Sequence, residues 1–182
     1  MTITESNIKG VYTLTPNVLA DQRGSFFRAY CHNTLKAIMP GPIVQINQSF
    51  NTQRGTFRGF HMQLPPYGEH KLIRATQGRV WDMALDLREG SPTFLQVFGV
   101  ELSAETNTMM LIPPGCAHGF ITLSDQAALN YLHTHEYVPG SEFCVSVFDS
   151  KLNLSLPIPI SVISEKDRQY SPLASDFKGI TL

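Results

Sequence analysis

The sequence predicts an all-β chain, a double-sheet jelly roll with a few short peripheral helices, and three observations carry that expectation. Short runs rich in β-branched and aromatic residues recur along its length. Turn residues separate them, with 13 glycines and 12 prolines available for the purpose. Helical patterning is confined to two brief stretches. At 182 residues the chain can bury a sizeable core yet is short enough for one unit, so residues 1–182 are expected to form a single domain.

Taken in order, the first strand is expected at Val11-Tyr12-Thr13-Leu14. A short helix follows over Asn33–Ile38, stopped near Pro40, where the ring removes a backbone donor. Ile43–Ile46 reads as the next strand, and a further one ends near His61. Val80-Trp81-Asp82-Met83-Ala84-Leu85 is apolar but for Asp82, and a carboxylate buried there needs a partner such as His118. Strands are then expected at Leu95–Val100, Met109–Ile112, Ala127–Leu132 and Phe143–Val147. A second helix starts around Ser164-Glu165-Lys166-Asp167, where the Ser164 hydroxyl can cap it.

Composition narrows the function classes. Lys and Arg number 14 against 15 Asp and Glu, a net charge of −1, which disfavours a broad nucleic-acid footprint. No apolar run approaches the roughly 20 residues that span a membrane. The opening Met1–Ser6 lacks the basic and apolar regions of a signal peptide, and the three cysteines stand far apart without C-x-x-C spacing. A cytoplasmic protein with reduced thiols is the expectation. No GxGxxG, GxxxxGK or GxSxG element appears, which weakens dinucleotide-binding, nucleotide-hydrolysing and serine-hydrolase readings.

The chemistry-bearing residues lie in three segments: Arg58-Gly59-Phe60-His61-Met62-Gln63, Lys71-Leu72-Ile73-Arg74 and Ile112 through Phe120. The last contains P-x-G-x-x-H and resembles the second half of a cupin barrel. Metal-binding cupins carry H-x-H and a Glu in the first half. Here the H-x-H place reads His61-Met62-Gln63, and Lys71 stands where the Glu would be. A transition metal needs about three lone-pair donors, and an ammonium repels a cation, so no metal site is expected. Each residue also has a plainer role open to it. His61 could be a hydrogen-bonded structural residue, His118 could cap the Pro/Gly turn it sits in, Lys71 could be solvated, and Tyr131 could be core.

The order of motifs goes further. Asp21-Gln22-Arg23-Gly24-Ser25-Phe26-Phe27, the Arg58 and Lys71 segments, Asp86-Leu87-Arg88, Ser91-Pro92-Thr93-Phe94, Glu101–Glu105, Ile112–Phe120 and Ser164–Asp167 come in sequence. From about Asp21 to Leu173 the chain resembles the dTDP-4-dehydrorhamnose 3,5-epimerase family of nucleotide-sugar epimerases. The resemblance implies a cofactor-free enzyme that inverts C3, C5 or both in a nucleotide-linked 4-keto-6-deoxyhexose, in deoxysugar synthesis for O-antigen or other cell-surface polysaccharide. It implies that His61 is the base oriented by Asp167, that Lys71 stabilises the enolate, and that Tyr131 reprotonates the opposite face. His118 with Asp82 would line the same pocket. Arg23, Arg58 and Lys166 match diphosphate-binding positions, Phe26 belongs to the same substrate-binding motif as Arg23, and Gln45 and Asn47 match nucleotide contacts. A homodimer is implied, and a jelly roll with a strand-rich N-terminus also favours burying a sheet edge against a second copy.

Two departures bear on the nucleobase. Arg28 stands where the family usually has a Glu, and Val147 and Leu156 occupy places of usual tryptophans. A guanidinium only donates, which suits the acceptors of cytosine, then guanine, better than the N3–H of thymine, so CDP and then GDP are the expected carriers. Two other classes compete with the epimerase: a metal-dependent cupin oxygenase or isomerase, and a non-catalytic nucleotide-sugar-binding cupin. The first would need a transition metal. The second would be expected to lack the base or the acid.

Overall fold

A computed structural model describes residues 1–182. Its strands are β1 (Thr2–Glu5), β2 (Tyr12–Thr15), β3 (Leu19–Asp21), β4 (Gly24–Phe26), β5 (Gln45–Asn51), β6 (Thr56–Gln63) and β7 (Lys71–Gln77). They continue as β8 (Arg79–Asp86), β9 (Val97–Ser103), β10 (Met109–Ile112), β11 (Cys116–Thr122), β12 (Ala127–His133), β13 (Glu142–Cys144) and β14 (Val162–Ile163). Two four-residue helices, α1 (His32–Leu35) and α2 (Glu165–Arg168), complete the elements with a 3-10 turn at Ser150–Leu152. No helix is long and apolar enough to cross a membrane.

One sheet runs β1-β2-β10-β7-β12-β5; the other runs β13-β6-β11-β8-β9, with β14 alongside β6, and β3 and β4 form a separate hairpin. This is the expected cupin-like jelly roll. Strand alternation sorts the side chains into layers. Ile73 and Ala75 of one sheet meet Val80, Ala84 and Phe120 of the other in the inter-sheet core. The opposite face of β6, β8 and β11 carries Phe57, Met62, Met83, Leu85 and Ile121 into an outer core roofed by the C-terminal segment. Val147 and Leu156 pack in that outer layer. The outer face of β7 and β10 is covered from α1 by Leu35, with Met39 just beyond it.

The register of β6 decides where the chemistry goes. His118 pairs with His61 and Phe120 with Arg58, so three steps on β6 match two on β11. The extra residue is a bulge, and it lets Arg58 and His61, an odd distance apart, face the same way. Gly59 makes this possible. Its φ is +125°, and a Cβ there would lie 2.8 Å from the His118 carbonyl oxygen.

Some elements differ from expectation. His118 lies within strand β11 rather than in a turn. β7, which carries Lys71, and the β3–β4 hairpin were not anticipated as strands. Helix α2 begins where expected, with the Ser164 hydroxyl accepting from the Asp167 amide at 3.0 Å.

Candidate active site

A cavity of about 470 Å³ opens at one end of the inter-sheet space. β6 and β11 supply Arg58, His61 and His118 to one wall; β5, β7 and β12 supply Gln45, Asn47, Lys71 and Tyr131 to the other. Lys166 and Asp167, from α2, close a third side. The jelly roll thus sets the imidazoles and the phenol on different sheets.

Two histidine–carboxylate pairs define the first wall. His61 Nε2 lies 3.0 Å from Asp167 Oδ1, and Tyr170 Oη reaches the same nitrogen at 3.4 Å. Burial pushes the Asp167 carboxyl up, but contacts with His61, the Gly59 amide and Tyr170 outweigh it and hold it below the ordinary aspartate range. Asp167 is thereby kept as an anion that fixes the ring's tautomer. His118 Nε2 lies 2.7 Å from Asp82 Oδ1, and here burial wins: the Asp82 carboxyl is raised. Its second oxygen is buried without a hydrogen-bond partner.

Across the cavity, Tyr131 Oη shares a 2.8 Å hydrogen bond with Ser49 Oγ. Burial pushes the phenol upward despite that bond, so it stays protonated at neutral pH. Lys71 Nζ pairs with Glu69 at 3.0 Å and donates to the His61 carbonyl at 3.3 Å. An ammonium has three protons, so capacity remains for one more acceptor. Arg58 is braced by Asn51, whose Oδ1 accepts from Nε at 2.8 Å. Lys166 is exposed and ion-pairs with Glu142 at 2.6 Å.

An imidazole held by a carboxylate, a protonated phenol opposite and a lysine at the same cavity form an acid–base set without a cluster of metal donors. The family model for dTDP-4-dehydrorhamnose 3,5-epimerase matches residues 5–175. The enzyme of that name from Pseudomonas aeruginosa is 41% identical over 177 residues, 96% of this chain and 97% of its own. The chain belongs to this epimerase family. It is an isomerase-class enzyme. Among solved relatives, the dTDP-4-dehydrorhamnose 3,5-epimerase of Elizabethkingia anophelis is 36% identical with a TM-score of 0.90, covering 98% of each chain. The dTDP-6-deoxy-D-glucose-3,5-epimerase of Legionella pneumophila, solved with dTDP-4-keto-L-rhamnose, is 36% identical with a TM-score of 0.86, covering 91% of this chain and 89% of that one.

In the epimerase chain the expected pocket residues His61, Lys71, Tyr131, Asp167, His118, Gln45, Asn47, Arg58 and Lys166 all line the cavity, with Asp82 directly behind His118. Arg23, Phe26 and Arg28 do not. Arg23 is spent on its hairpin neighbour Asp21 at 2.6 Å, its side chain 85% exposed, and Phe26 is 71% exposed. Arg28 lies just beyond β4 and does not line the cavity of its own protomer.

Gln63 is also not a displaced metal ligand. It is buried, and its Oε1 accepts from the Val138 amide at 2.7 Å and Ser141 Oγ at 3.0 Å. Ser49, Glu69 and Tyr170 were missed by sequence reasoning. The alternation of β5 puts Ser49 in line with Gln45 and Asn47, and that signal was available.

Proposed function

We propose that this chain is a cofactor-free 3,5-epimerase of a dTDP-linked 4-keto-6-deoxyhexose. The observation that carries the reading is the placement of His61 and Tyr131 on opposite sheets, with Lys71 at the same cavity and bonded to the His61 carbonyl. A ketone at C4 acidifies the protons at C3 and C5. His61 removes one, and the electron pair moves onto the C4 oxygen as an enolate. The Lys71 ammonium stabilises that developing charge. Tyr131 then returns a proton to the other face of the same carbon, and the configuration inverts. His61 loses its proton and Tyr131 regains one through solvent, so nothing else is consumed.

The nucleotide follows from the relatives, which are named for dTDP sugars, one of them solved with such a sugar bound. Arg58 and Lys166 offer cations for the diphosphate, and Gln45 and Asn47 offer amides toward the nucleoside. Arg23, Phe26 and Arg28 join them only if a second copy of the chain lends its hairpin. The exposed Leu19 and Phe26 on that hairpin, and Ile46 and Phe50 on the outer face of edge strand β5, suit such a homodimer.

Incubation of the wild type in D₂O with dTDP-, CDP- and GDP-linked 4-keto-6-deoxyglucose, followed by NMR, tests the reading. Deuterium should enter C3 and C5 of the dTDP sugar fastest. No wash-in at either carbon, or dependence of wash-in on an added transition metal, would overturn it.

A further inference from the structure

Beneath Lys71 lies a carboxylate that the reaction outlined above does not use. Glu69 is buried, with a side chain only 4% exposed, in the loop that leads into β7. One oxygen pairs with Lys71 Nζ at 3.0 Å, and His133 Nδ1 stands 3.9 Å from that same oxygen. The other oxygen accepts from Gln63 Nε2 at 3.2 Å. Gln63 cannot reverse its amide, because its own oxygen is committed to Val138 and Ser141, and the two protons on its nitrogen are shared among Glu69 and the carbonyls of Tyr67 and Glu136, both at 3.1 Å. Gln63 therefore presents a donor to Glu69, and Glu69 must be an acceptor on that side. Burial would raise the carboxyl, yet His133, Lys71 and Gln63 together hold it below the ordinary glutamate range. Glu69 is a fixed anion.

Resting on the epimerase reading above, we propose that Glu69 is the positioning residue for the catalytic ammonium: Gln63 fixes Glu69, and Glu69 aims Lys71 at the place where the enolate oxygen forms. A lysine has a flexible four-carbon stem, and without an anchor its head would spread over several rotamers. Charge stabilisation of an oxyanion depends on donors held in place before the charge appears. The Glu69 pair and the bond to the His61 carbonyl together remove that freedom. The anchor thus acts on the transition state rather than on ground-state binding.

The test is a double-mutant cycle with E69Q and K71M, read as deuterium wash-in, kcat and KM on the dTDP sugar. Glu69→Gln should lower kcat by about tenfold or more while KM changes little, the pattern of a displaced catalytic group. The E69Q/K71M protein should be no slower than K71M alone, because the two residues act as one unit. Glu69→Asp keeps the charge at shorter reach and should lose less than E69Q, which also serves should E69Q not fold. Wild-type kcat in E69Q with an impaired K71M would overturn the positioning role and leave the epimerase reading intact. Multiplicative losses in the double variant, or a raised KM as the main effect of E69Q, would likewise overturn it. Full activity in K71M would overturn the enolate role of Lys71 and this proposal with it.

Discussion

His61 and His118 stand directly opposite each other where β6 pairs with β11, and each turns Nε2 toward its own carboxylate. The two pairs are not equivalent. Asp167, at the N-terminal turn of α2, also takes the Gly59 amide at 3.4 Å and is held low, whereas Asp82 is wholly enclosed and pushed high. The first pair orients an imidazole that faces the cavity, and the second is a buried polar contact whose loss exposes its cost.

That contrast predicts an order of stabilities. His118→Ala leaves Asp82 enclosed with no partner for either oxygen and should cost about 3–5 kcal/mol. Asp82→Asn removes the charge while keeping an acceptor for His118, and should cost clearly less. Urea unfolding of both variants at pH 7 measures the difference. A D82N protein less stable than H118A would contradict the placement of the burden on the buried charge.

Tyr131→Phe should slow net epimerisation more than α-proton exchange. The base remains, but the far face loses its donor, and general-acid help of this kind is worth about 10²–10⁴-fold. Parallel measurement of product formation and deuterium wash-in decides. Equal losses would move the donor's role to another group, with Tyr137 at the cavity wall the next to test.

Acid stability should have a component far from the cavity. Asp86 ends β8 and is fully buried. It takes Arg88 Nε at 2.8 Å and Ser91 and Thr93 hydroxyls at 2.6 Å each. Burial opposes ionisation, but these partners bring its pKa from 3.8 down to about 2. The folded value lies below the unfolded one, so the stabilisation is complete above about pH 4 and is lost as pH falls toward 2. At about 1.36 kcal/mol per pH unit this amounts to about 2 kcal/mol. Asp86→Asn should lose roughly that amount at pH 7 and flatten the decline below pH 4; an unchanged acid limb would contradict it.

Light scattering at micromolar concentration should give about twice the 20.3 kDa chain mass. Phe26→Asp, at the exposed open end of the β3–β4 hairpin opposite Leu19, should weaken the dimer and raise KM together. A wild-type monomer with full activity would contradict the second-copy role of the hairpin.

Much of the architecture was legible because it rests on local pattern. Met109–Ile112 is an uninterrupted apolar run and Ala127–Leu132 is broken only by Asn130, and their strands fall where expected. β7 was not, since Lys71-Leu72-Ile73-Arg74 shows charge at both ends, and only its partners β10 and β12 make it a central strand. His118 looked like a turn residue because Pro113, Pro114 and Gly115 precede it, yet the turn is finished by Cys116, where β11 begins. The site residues were legible through ordered motifs, and so were the His61–Asp167 and His118–Asp82 pairs, but the other connections were not. The bulge at Gly59 and the Gln63–Glu69–Lys71 relay depend on pairing register and on loops meeting in space, which one-dimensional spacing does not encode. Arg28 shows the converse: its residue type suggested a base contact, yet it does not line the cavity of its own protomer.

The central claim is that His61 is the base that removes the sugar's α-proton. His61→Asn keeps a polar side chain near Asp167 but cannot accept a proton at neutral pH. In D₂O with the dTDP-linked 4-keto-6-deoxy sugar, the variant should lose at least about 100-fold in deuterium incorporation at C3 and C5 while its thermal unfolding stays close to wild type. Wash-in at the wild-type rate in a folded H61N protein would contradict the base assignment.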